Sequence, residues 1–263
     1  MTESSTSIFY RTCPGENNAP RPGWYSKELC LKSFLLSFDR LNSESESEIS
    51  VIIDGYLKPH DEWSKKVKQM VEPRGLIIEQ KPLGNVESSI NIIRKASILP
   101  ENKVLIFAED DYLWLTPALL GLQHSLRQLP VHYSTPYDHP VRYQPDYAKG
   151  LDLPHWHSVI YITNERHWRT QESTCMTFAT TNRTLVEDIQ YFEKYKENGK
   201  GRPEDRELFR DLQGLGQYSG STMEKRILVG PVPSLATHAH LPWLAPLINW
   251  EKEARAIFDQ KLT

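Results

Sequence analysis

Apolar residues recur along the first half of the chain in two alternating patterns. Residues 49–53 and 104–108 are short runs of apolar or small side chains, as in strands that are buried on both faces of a sheet, whereas residues 26–41 carry apolar side chains at helical spacing. Strand and helix patterns alternate about four times through residues 7–127. This alternation predicts an α/β fold with a Rossmann-like sheet, mixed but mostly parallel, that is flanked by helices.

Turn and capping residues set the boundaries of the predicted elements. Residues 128–158 are rich in Pro, Tyr and His and predict long loops. The predicted strands are residues 7–13, 49–53, 76–79, 104–108, 158–163, 175–179 and 227–229. Seven helices are predicted. Three have stated bounds, 26–41 with Ser26 as N-cap, 203–214 and 250–261, and a fourth runs from a capping box at Thr184–Glu187 to about residue 198. The other three are predicted by their starts: one is capped by Asp61, one opens at Gly84-Asn85, and one is capped by Thr116-Pro117.

Length and composition favour one soluble globular domain over residues 1–263. The 39% of apolar residues can form a sizeable core, and the net charge of −3 gives no basic excess for nucleic acid. Cys13, Cys30 and Cys175 are far apart in sequence and predict neither disulfides nor a thiolate metal site. No apolar run has the length of a transmembrane segment, and the polar start without Lys or Arg differs from a secretory signal. We therefore expect a cytoplasmic protein.

The strongest candidate for chemistry is a run of three carboxylates, Glu109, Asp110 and Asp111, directly after the apolar run 104–108. In open α/β sheets, ligands bind at the carboxyl ends of the strands. Adjacent acids repel one another and are costly to desolvate, and a hard divalent ion with oxygen ligands is the usual solution. The run thus predicts a site for a metal-bound diphosphate; the alternative is an ordinary acidic turn.

Several of these features together resemble the nucleotide-sugar glycosyltransferases of the A-type fold. They are the alternating first half, the apolar strand that ends in Asp54-Gly55, the helix opening Gly84-Asn85…Asn91, and the acidic triplet. The segment EDDYLWLTP is similar to the EDD form of the DxD motif in N-acetylglucosaminyltransferase I-like enzymes. The resemblance implies a metal-dependent enzyme that transfers a hexose from a UDP-sugar to the hydroxyl of a saccharide or other acceptor. Inversion is the favoured outcome; retention is the alternative, because retaining enzymes share the fold and the metal motif.

The resemblance also implies a division of labour along the chain. Residues 1–127 would hold the UDP-sugar, and residues 128–263 would hold the acceptor. Asp111 would ligate Mn²⁺ or Mg²⁺, while Glu109 and Asp110 would face the ribose and the sugar.

Further donor contacts are implied at the ends of the first two strands. Asp54 would bind the uracil edge, and Arg11 and Thr12 would lie beside the base. Asn91 would complete the donor-binding residues. As alternatives, Asp54-Gly55 is also a good turn, and an arginine such as Arg11 is often a surface residue.

Acidic residues after a glycine-rich turn, in GRPEDRE from Gly201, are candidates for a catalytic base. Asp and Glu are common in the first turn of a helix for structural reasons alone. In inverting enzymes of the resembled fold, however, an acid at a similar place is the general base, which implies Asp205, or Glu204 as the alternate. A helix N-terminus would lower the pKa of such a group.

Two histidines in Thr237-His238-Ala239-His240 are candidates for completing the metal shell. On an extended segment they would point the same way, whereas a turn would splay them. The resemblance implies His238 first and His240 second; the alternative is a surface pair without a ligand.

Aromatic residues are concentrated in residues 133–168, where sugar rings could pack on them. Trp156 is the best single candidate for contact with the donor sugar or the acceptor; the alternative is that these rings fill a core beneath loops. Phosphate-binding glycine motifs of kinases and dinucleotide enzymes are absent from the sequence. Two rival functions remain, a metal-dependent sugar-phosphate nucleotidyltransferase, for which CPGENNAPRPG is a poor phosphate loop, and a non-catalytic carbohydrate-binding protein.

Overall fold

A computed structural model describes residues 5–55, 61–143, 158–197, 199–215 and 225–262. Its strands are β1 (Thr6–Thr12), β2 (Ser47–Asp54), β3 (Leu76–Gln80), β4 (Val104–Glu109), β5 (Tyr112–Trp114), β6 (Tyr133–Ser134), β7 (Ile160–Ile162), β8 (His167–Thr170), β9 (Phe178–Thr181), β10 (Leu228–Val232) and β11 (Ala236–His238). Its helices are α1 (Lys27–Asn42), α2 (Glu62–Val71), α3 (Gly84–Ser97), α4 (Ala118–Gln128), α5 (Asn182–Lys194), α6 (Asp205–Leu212) and α7 (Trp250–Asp259), with a 3₁₀ turn at Pro140–Tyr143.

One mixed sheet dominates the described part of the chain. Its nine strands lie in the order β3-β2-β1-β4-β9-β6-β10-β8-β7, and β5 pairs with β11 in a separate two-stranded ribbon. The pairings make β9 and β8 run against the other seven strands of the large sheet. The predicted α/β fold with a mixed, mostly parallel sheet is therefore confirmed.

The strand order reverses beside β1. The chain moves outward from β1 to β2 and β3, then crosses back so that β4 pairs with the other side of β1. Such a reversal leaves a crevice at the carboxyl ends of the two central strands, which is where open α/β sheets bind ligands. Both β1 and the acidic end of β4 open onto this crevice.

Alternate residues of the central strands face two different hydrophobic clusters. Along β4, Ile106 packs with the cluster that includes α1, α4 and α7, whereas Leu105 and Phe107 pack with the cluster that includes α3, α5 and α6. Because a strand alternates its side chains between faces, a run without polar residues requires cover on both sides. Helices on both faces provide that cover and hold the strand ends rigidly in place.

Helix boundaries differ from the predictions at three N-termini, one of which is that of α6, which begins at residue 205 and not at residue 203. Ser26 and Asp61 cap α1 and α2 as predicted, each accepting hydrogen bonds from backbone N–H groups of the first turn. The predicted Thr184 capping box is wrong, because Thr181 at the end of β9 accepts from the Thr184 N–H and α5 begins at residue 182. Likewise α4 begins at residue 118, with Pro117 and not Thr116 at the N-cap position.

Four short strands, β5, β6, β8 and β11, lie outside the predicted strand set, because two to four residues are too few for a periodic pattern to show. Among the described residues, no helix is both long enough and apolar enough to cross a lipid bilayer.

Candidate active site

A cavity of about 840 Å³ opens at the carboxyl ends of β1, β2 and β4. Its second wall comes from the start of α6, and the segment between β1 and α1 closes one end. Most of the residues that the sequence singled out lie on this cavity: Arg11, Thr12, Asp54, Glu109, Asp110, Asp111, Glu204, Asp205 and His238.

Each carboxylate of the acidic triplet has a basic partner within the chain. Arg11 pairs with Glu109 at 2.6 Å, Lys27 with Asp110 at 2.8 Å, and Arg21 with Asp111 at 3.1 Å. The expectation that a bound metal ion neutralises these acids is therefore incomplete, because three side chains already supply counter-charge. We call the acids, these three cations and His238 the cavity network.

Asp110 anchors the segment that follows β1. Its Oδ2 accepts hydrogen bonds from the Thr12 hydroxyl at 2.6 Å, from Lys27 and from the backbone N–H of Cys13 at 3.4 Å. Lys27 also donates to the carbonyl oxygens of Cys13 and Gly15, which uses all three protons of its ammonium group. Burial alone would lower the pKa of Lys27, but the charge and hydrogen bond of Asp110 outweigh it and raise the pKa.

Asp111 and His238 shift each other's pKa in opposite directions. In the β5–β11 ribbon His238 lies opposite Tyr112, and its Nε2 is 2.9 Å from Asp111 Oδ2. Burial raises the pKa of Asp111, but the hydrogen bond and charge of His238, with the charge of Arg21, reverse this and lower the pKa to about 2. Burial lowers the pKa of His238, and Asp111 reverses that effect in turn and raises it.

The Asp111–His238 pair has the donor types of two metal ligands, a carboxylate and an imidazole. The two side chains are hydrogen-bonded to each other at 2.9 Å, so a metal ion would replace this hydrogen bond and displace the proton of the imidazole. No group of three or more His, Cys, Asp or Glu side chains within the described ranges is arranged to hold a metal. Mg²⁺ sites often use one or two protein ligands and complete the shell with substrate phosphates and water. The residues present fit that kind of site.

Asp54 is held firmly at the end of β2. Gly55, with φ of 87°, turns the chain directly after it, a conformation that favours glycine. Asp54 Oδ1 accepts hydrogen bonds from the Leu83 N–H at 3.0 Å and from Gln80 Nε2 at 3.1 Å. Asn91 donates to Gln80 Oε1 at 3.3 Å and is not among the described residues that line the cavity. It supports Gln80 behind Asp54, and its contact with the donor stays a prediction.

Arg11 and Thr12 link the cavity to the neighbouring helices. The Arg11 guanidinium bonds the side chain and backbone carbonyls of Asn85, at 2.7 and 3.2 Å, as well as Glu109. The Thr12 hydroxyl accepts from Trp63 Nε1 at 2.9 Å while donating to Asp110. Arg11 is therefore built into the cavity wall, and the alternative that it is a free surface residue is wrong.

Asp205 and Glu204 lie on the opposite wall. Asp205 is the first residue of α6, Glu204 occupies the N-cap position without a capping hydrogen bond, and Asp205 Oδ1 accepts from the Arg206 N–H at 2.8 Å. Burial, followed by the charge of Glu109, raises the pKa of Asp205 to about 7. The expected lowering by the helix N-terminus is wrong, because burial and a facing carboxylate outweigh the backbone.

The two remaining candidates are His240 and Trp156. The chain turns directly after β11, where the His240 N–H bonds the His238 carbonyl, and the two imidazole rings lie 5.5 Å apart and nearly perpendicular. His238 thus lines the cavity, whereas His240 is not among its described lining residues. Trp156 lies outside the described residues.

Sequence reasoning missed Arg21 and Lys27. A signal was available for Lys27, since a cation in the first turn of a helix opposes the helix dipole and suggests an acidic partner elsewhere. Arg21 lies between two prolines and carried no comparable signal.

Comparisons with known proteins gave structural likeness only. No family model matches the chain, and no curated protein sequence matches it. Among solved structures, it is similar to a 4-diphosphocytidyl-2C-methyl-D-erythritol synthase, with 12% identity, 97% of this chain and 99% of that chain covered, and a TM-score of 0.46.

It is also similar to galactosyltransferase LgtC in complex with donor and acceptor sugar analogues, with 8% identity, 98% and 97% coverage and a TM-score of 0.48. A third similar structure, an active site mutant of LgtC, has 10% identity, 78% and 68% coverage and a TM-score of 0.42. At such identities and TM-scores, function has to be argued from the residues of this chain. The specific resemblance to N-acetylglucosaminyltransferase I-like enzymes stays a prediction.

Proposed function

We propose that this chain is a metal-dependent glycosyltransferase that moves a hexose from a UDP-sugar to an acceptor hydroxyl. The observation that carries the proposal is that one cavity contains both two side chains of the kinds that bind metal ions and a carboxylate whose pKa is raised. Asp111 and His238 lie on one wall, and Asp205 lies on the other. Two such groups are what a transfer from a phosphate leaving group to a hydroxyl requires.

The donor fits the wall formed by β1, β2 and β4. The cavity volume is in the range of pockets that enclose a small-molecule ligand. Asp54 has one oxygen fixed by Gln80 and the Leu83 N–H, so its carboxylate is oriented to accept from a base edge. Arg11, at the end of the neighbouring strand, would lie beside the same base.

Asp111 and His238 are the residues that would hold Mn²⁺ or Mg²⁺. When bound there, the ion would neutralise negative charge that develops on the departing diphosphate. Asp111 is suited to this role because its low pKa keeps it ionised throughout the physiological range. His238 binds a metal only as the neutral imidazole.

Asp205 would remove the proton of the acceptor hydroxyl. As that oxygen bonds to the anomeric carbon, the bond from this carbon to the diphosphate oxygen breaks and the hydroxyl proton passes to the carboxylate. A base with a pKa near the working pH is the most effective, and a value of about 7 meets this condition. A base on the wall opposite the donor would activate a hydroxyl that attacks the anomeric carbon from the side opposite the departing diphosphate, which inverts its configuration. Glu204 is the alternate base.

Slow donor hydrolysis tests the proposed function without knowledge of the acceptor. The purified protein with Mn²⁺ should release UDP from UDP-glucose, UDP-galactose or UDP-N-acetylglucosamine, and Asp111→Ala should abolish the release. Glu187→Gln, a change on α5 that does not line the cavity, is the matched control and should retain it. Intact donors after long incubation with either metal would contradict the proposal.

A sugar-phosphate nucleotidyltransferase is the second candidate, because two cations from the segment after β1 reach the cavity. Arg21 and Lys27 both line it, and a phosphate loop with basic residues near the N-terminus is what such an enzyme would require. Lys27 already donates to Asp110 and to two backbone carbonyl oxygens, which favours the first candidate. Pyrophosphate release from UTP or CTP in the presence of hexose 1-phosphates, without UDP release from UDP-sugars, would decide for the second.

The donor half 1–127, the acceptor half 128–263 within a single domain, and the cytoplasmic location stay predictions.

A further inference from the structure

Arg21 is held beside Asp111 through both terminal nitrogens of its guanidinium group. Nη1 donates to the Ala239 carbonyl at 2.7 Å, and Nη2 donates to Asn17 Oδ1 at 2.9 Å and to Asp111 Oδ2 at 3.1 Å. The group also lies over the Tyr25 ring, 4.4 Å from its centroid. With 14% of its side chain exposed, Arg21 has little freedom to move away from Asp111.

Arg21 and His238 approach the same carboxylate oxygen. His238 Nε2 is 2.9 Å from Asp111 Oδ2, the atom that Arg21 also contacts. A divalent ion held by Asp111 and His238 would therefore lie only a few ångströms from a permanent positive charge, since arginine stays protonated at all physiological pH values. Like charges at such a distance repel, whereas a diphosphate would be attracted by both.

We propose that Arg21 makes metal binding at Asp111 depend on the donor diphosphate. In the free protein its charge holds the affinity for the divalent ion low. When the diphosphate binds, its negative charge compensates both cations, and the ion and the nucleotide stabilise each other. This inference rests on the proposed function, because it assigns the diphosphate of a UDP-sugar to the cavity.

Coulomb's law sets the size of the effect. A divalent and a monovalent cation about 5 Å apart in water repel with an energy equivalent to about tenfold in affinity. Coupling between two ligands is reciprocal, so the factor by which UDP tightens Mn²⁺ binding equals the factor by which Mn²⁺ tightens UDP binding. Removal of Arg21 should tighten the binding of Mn²⁺ alone by the factor that its repulsion now costs.

Calorimetric titration of Mn²⁺, without and with saturating UDP, tests the inference on wild type and Arg21→Gln. Glutamine removes the charge and keeps an amide donor for the Ala239 carbonyl. Without UDP, we expect Arg21→Gln to bind Mn²⁺ about tenfold more tightly than wild type. Arg21→Lys, which keeps the charge, should bind Mn²⁺ alone as weakly as wild type.

Arg202→Met is the matched control, since it removes the same charge from the cavity rim at a residue on the Asp205 side. It should change Mn²⁺ affinity by less than Arg21→Gln does. Equal Mn²⁺ affinities of wild type and Arg21→Gln would overturn the inference while leaving the proposed function intact. Should Arg21→Gln not fold, wild type decides alone: Mn²⁺ binding that is as tight without UDP as with it overturns the inference. Absence of any UDP binding with Mn²⁺ would instead contradict the proposed function.

Discussion

Two ionic networks in this molecule both contain Asp, Glu and Arg, but one lines a cavity and the other is built around a fully buried carboxylate. The cavity network of Glu109, Asp110, Asp111, their three cations and His238 faces an open cavity. The second, which we call the α5 network, consists of Asp188, Arg226, Tyr133 and Glu187. In this network Arg226 donates hydrogen bonds to the fully buried Asp188, from Nε to Oδ2 at 2.9 Å and from Nη2 to Oδ1 at 2.8 Å. The Tyr133 hydroxyl donates a further hydrogen bond to Asp188, at 2.7 Å.

The two networks differ in whether their carboxylates are available to a ligand or a proton. Both oxygens of Asp188 accept hydrogen bonds from other side chains, from Tyr133 on β6 and from Arg226 two residues before β10, so this acid joins three parts of the fold. In the cavity, burial and neighbouring charges push two acids in opposite directions, to a pKa of about 2 for Asp111 and about 7 for Asp205. Separated pKa values on one cavity are typical of acid–base and ligand-binding sites, whereas a saturated buried pair leaves no carboxylate oxygen free for a ligand.

The largest expected effect is on the rate in Asp205→Asn. General-base catalysis contributes about 10²–10⁴-fold, so the transfer or hydrolysis rate should fall by that factor. An ionised Asp205 is unfavourable to folding, because burial raises its pKa and the charge is present in the fold above pH 7. The melting temperature at pH 8 should therefore be unchanged or higher in the variant. A variant that melts normally and keeps its rate would remove Asp205 from the mechanism.

Next in size is the loss of stability in Asp188→Ala. Breaking a buried ion pair by removing one partner costs about 3–5 kcal/mol, because the Arg226 charge stays behind. Glu187 contacts the same guanidinium from a half-exposed position, at 2.7 Å, and Glu187→Gln should cost less than about 1 kcal/mol. Urea unfolding of both variants measures the difference, and equal losses would refute the distinction between the two acids.

A smaller effect is expected from pH on the wild-type rate. Asp205 must be ionised to accept a proton, and its pKa is raised to about 7, so the rate should fall about tenfold per pH unit below that value and level off above it. The pH dependence of kcat at saturating donor and metal shows this limb. A limb with an apparent pKa near 4, the ordinary value for a carboxyl, would argue against the raised pKa of Asp205.

The smallest effect is expected from the residues behind Asp54. Gln80→Met removes one of the two hydrogen bonds that orient Asp54, worth about 1 kcal/mol, and should raise KM for the donor about fivefold with kcat little changed. Asn91→Leu, one residue further back, should do less. Steady-state kinetics of the two variants rank them, and a larger effect of Asn91→Leu would contradict the order of contacts.

The sheet and the position of most of the cavity acids could be predicted from the sequence for one physical reason. Buried strands and amphipathic helices leave periodic patterns, and the carboxyl ends of parallel strands bring Asp54 and the triplet to the same edge. The partners of those acids leave no pattern. Arg21 and Asp111 are 90 residues apart, and only the fold brings them together.

Local rules also failed where tertiary packing outweighs them. The helix N-terminus of α6 predicts a lowered pKa for Asp205, but burial and Glu109 raise it. The ribbon of β5 and β11, which sets His238 beside Asp111, has only three residues in each strand and no visible periodicity. The resemblance indicated His238, but the reason for its position is in the pairing of the two strands.

The central claim is that the cavity network binds a nucleoside diphosphate with a metal and that the α5 network does not. Calorimetric titration of UDP in the presence of Mn²⁺ into wild type, Asp111→Asn and Glu187→Gln tests it most directly. We expect binding by wild type, an equal affinity in Glu187→Gln, and an affinity at least about tenfold lower in Asp111→Asn, since one metal ligand is lost. No UDP binding by wild type, or binding that Asp111→Asn leaves unchanged, would contradict the account.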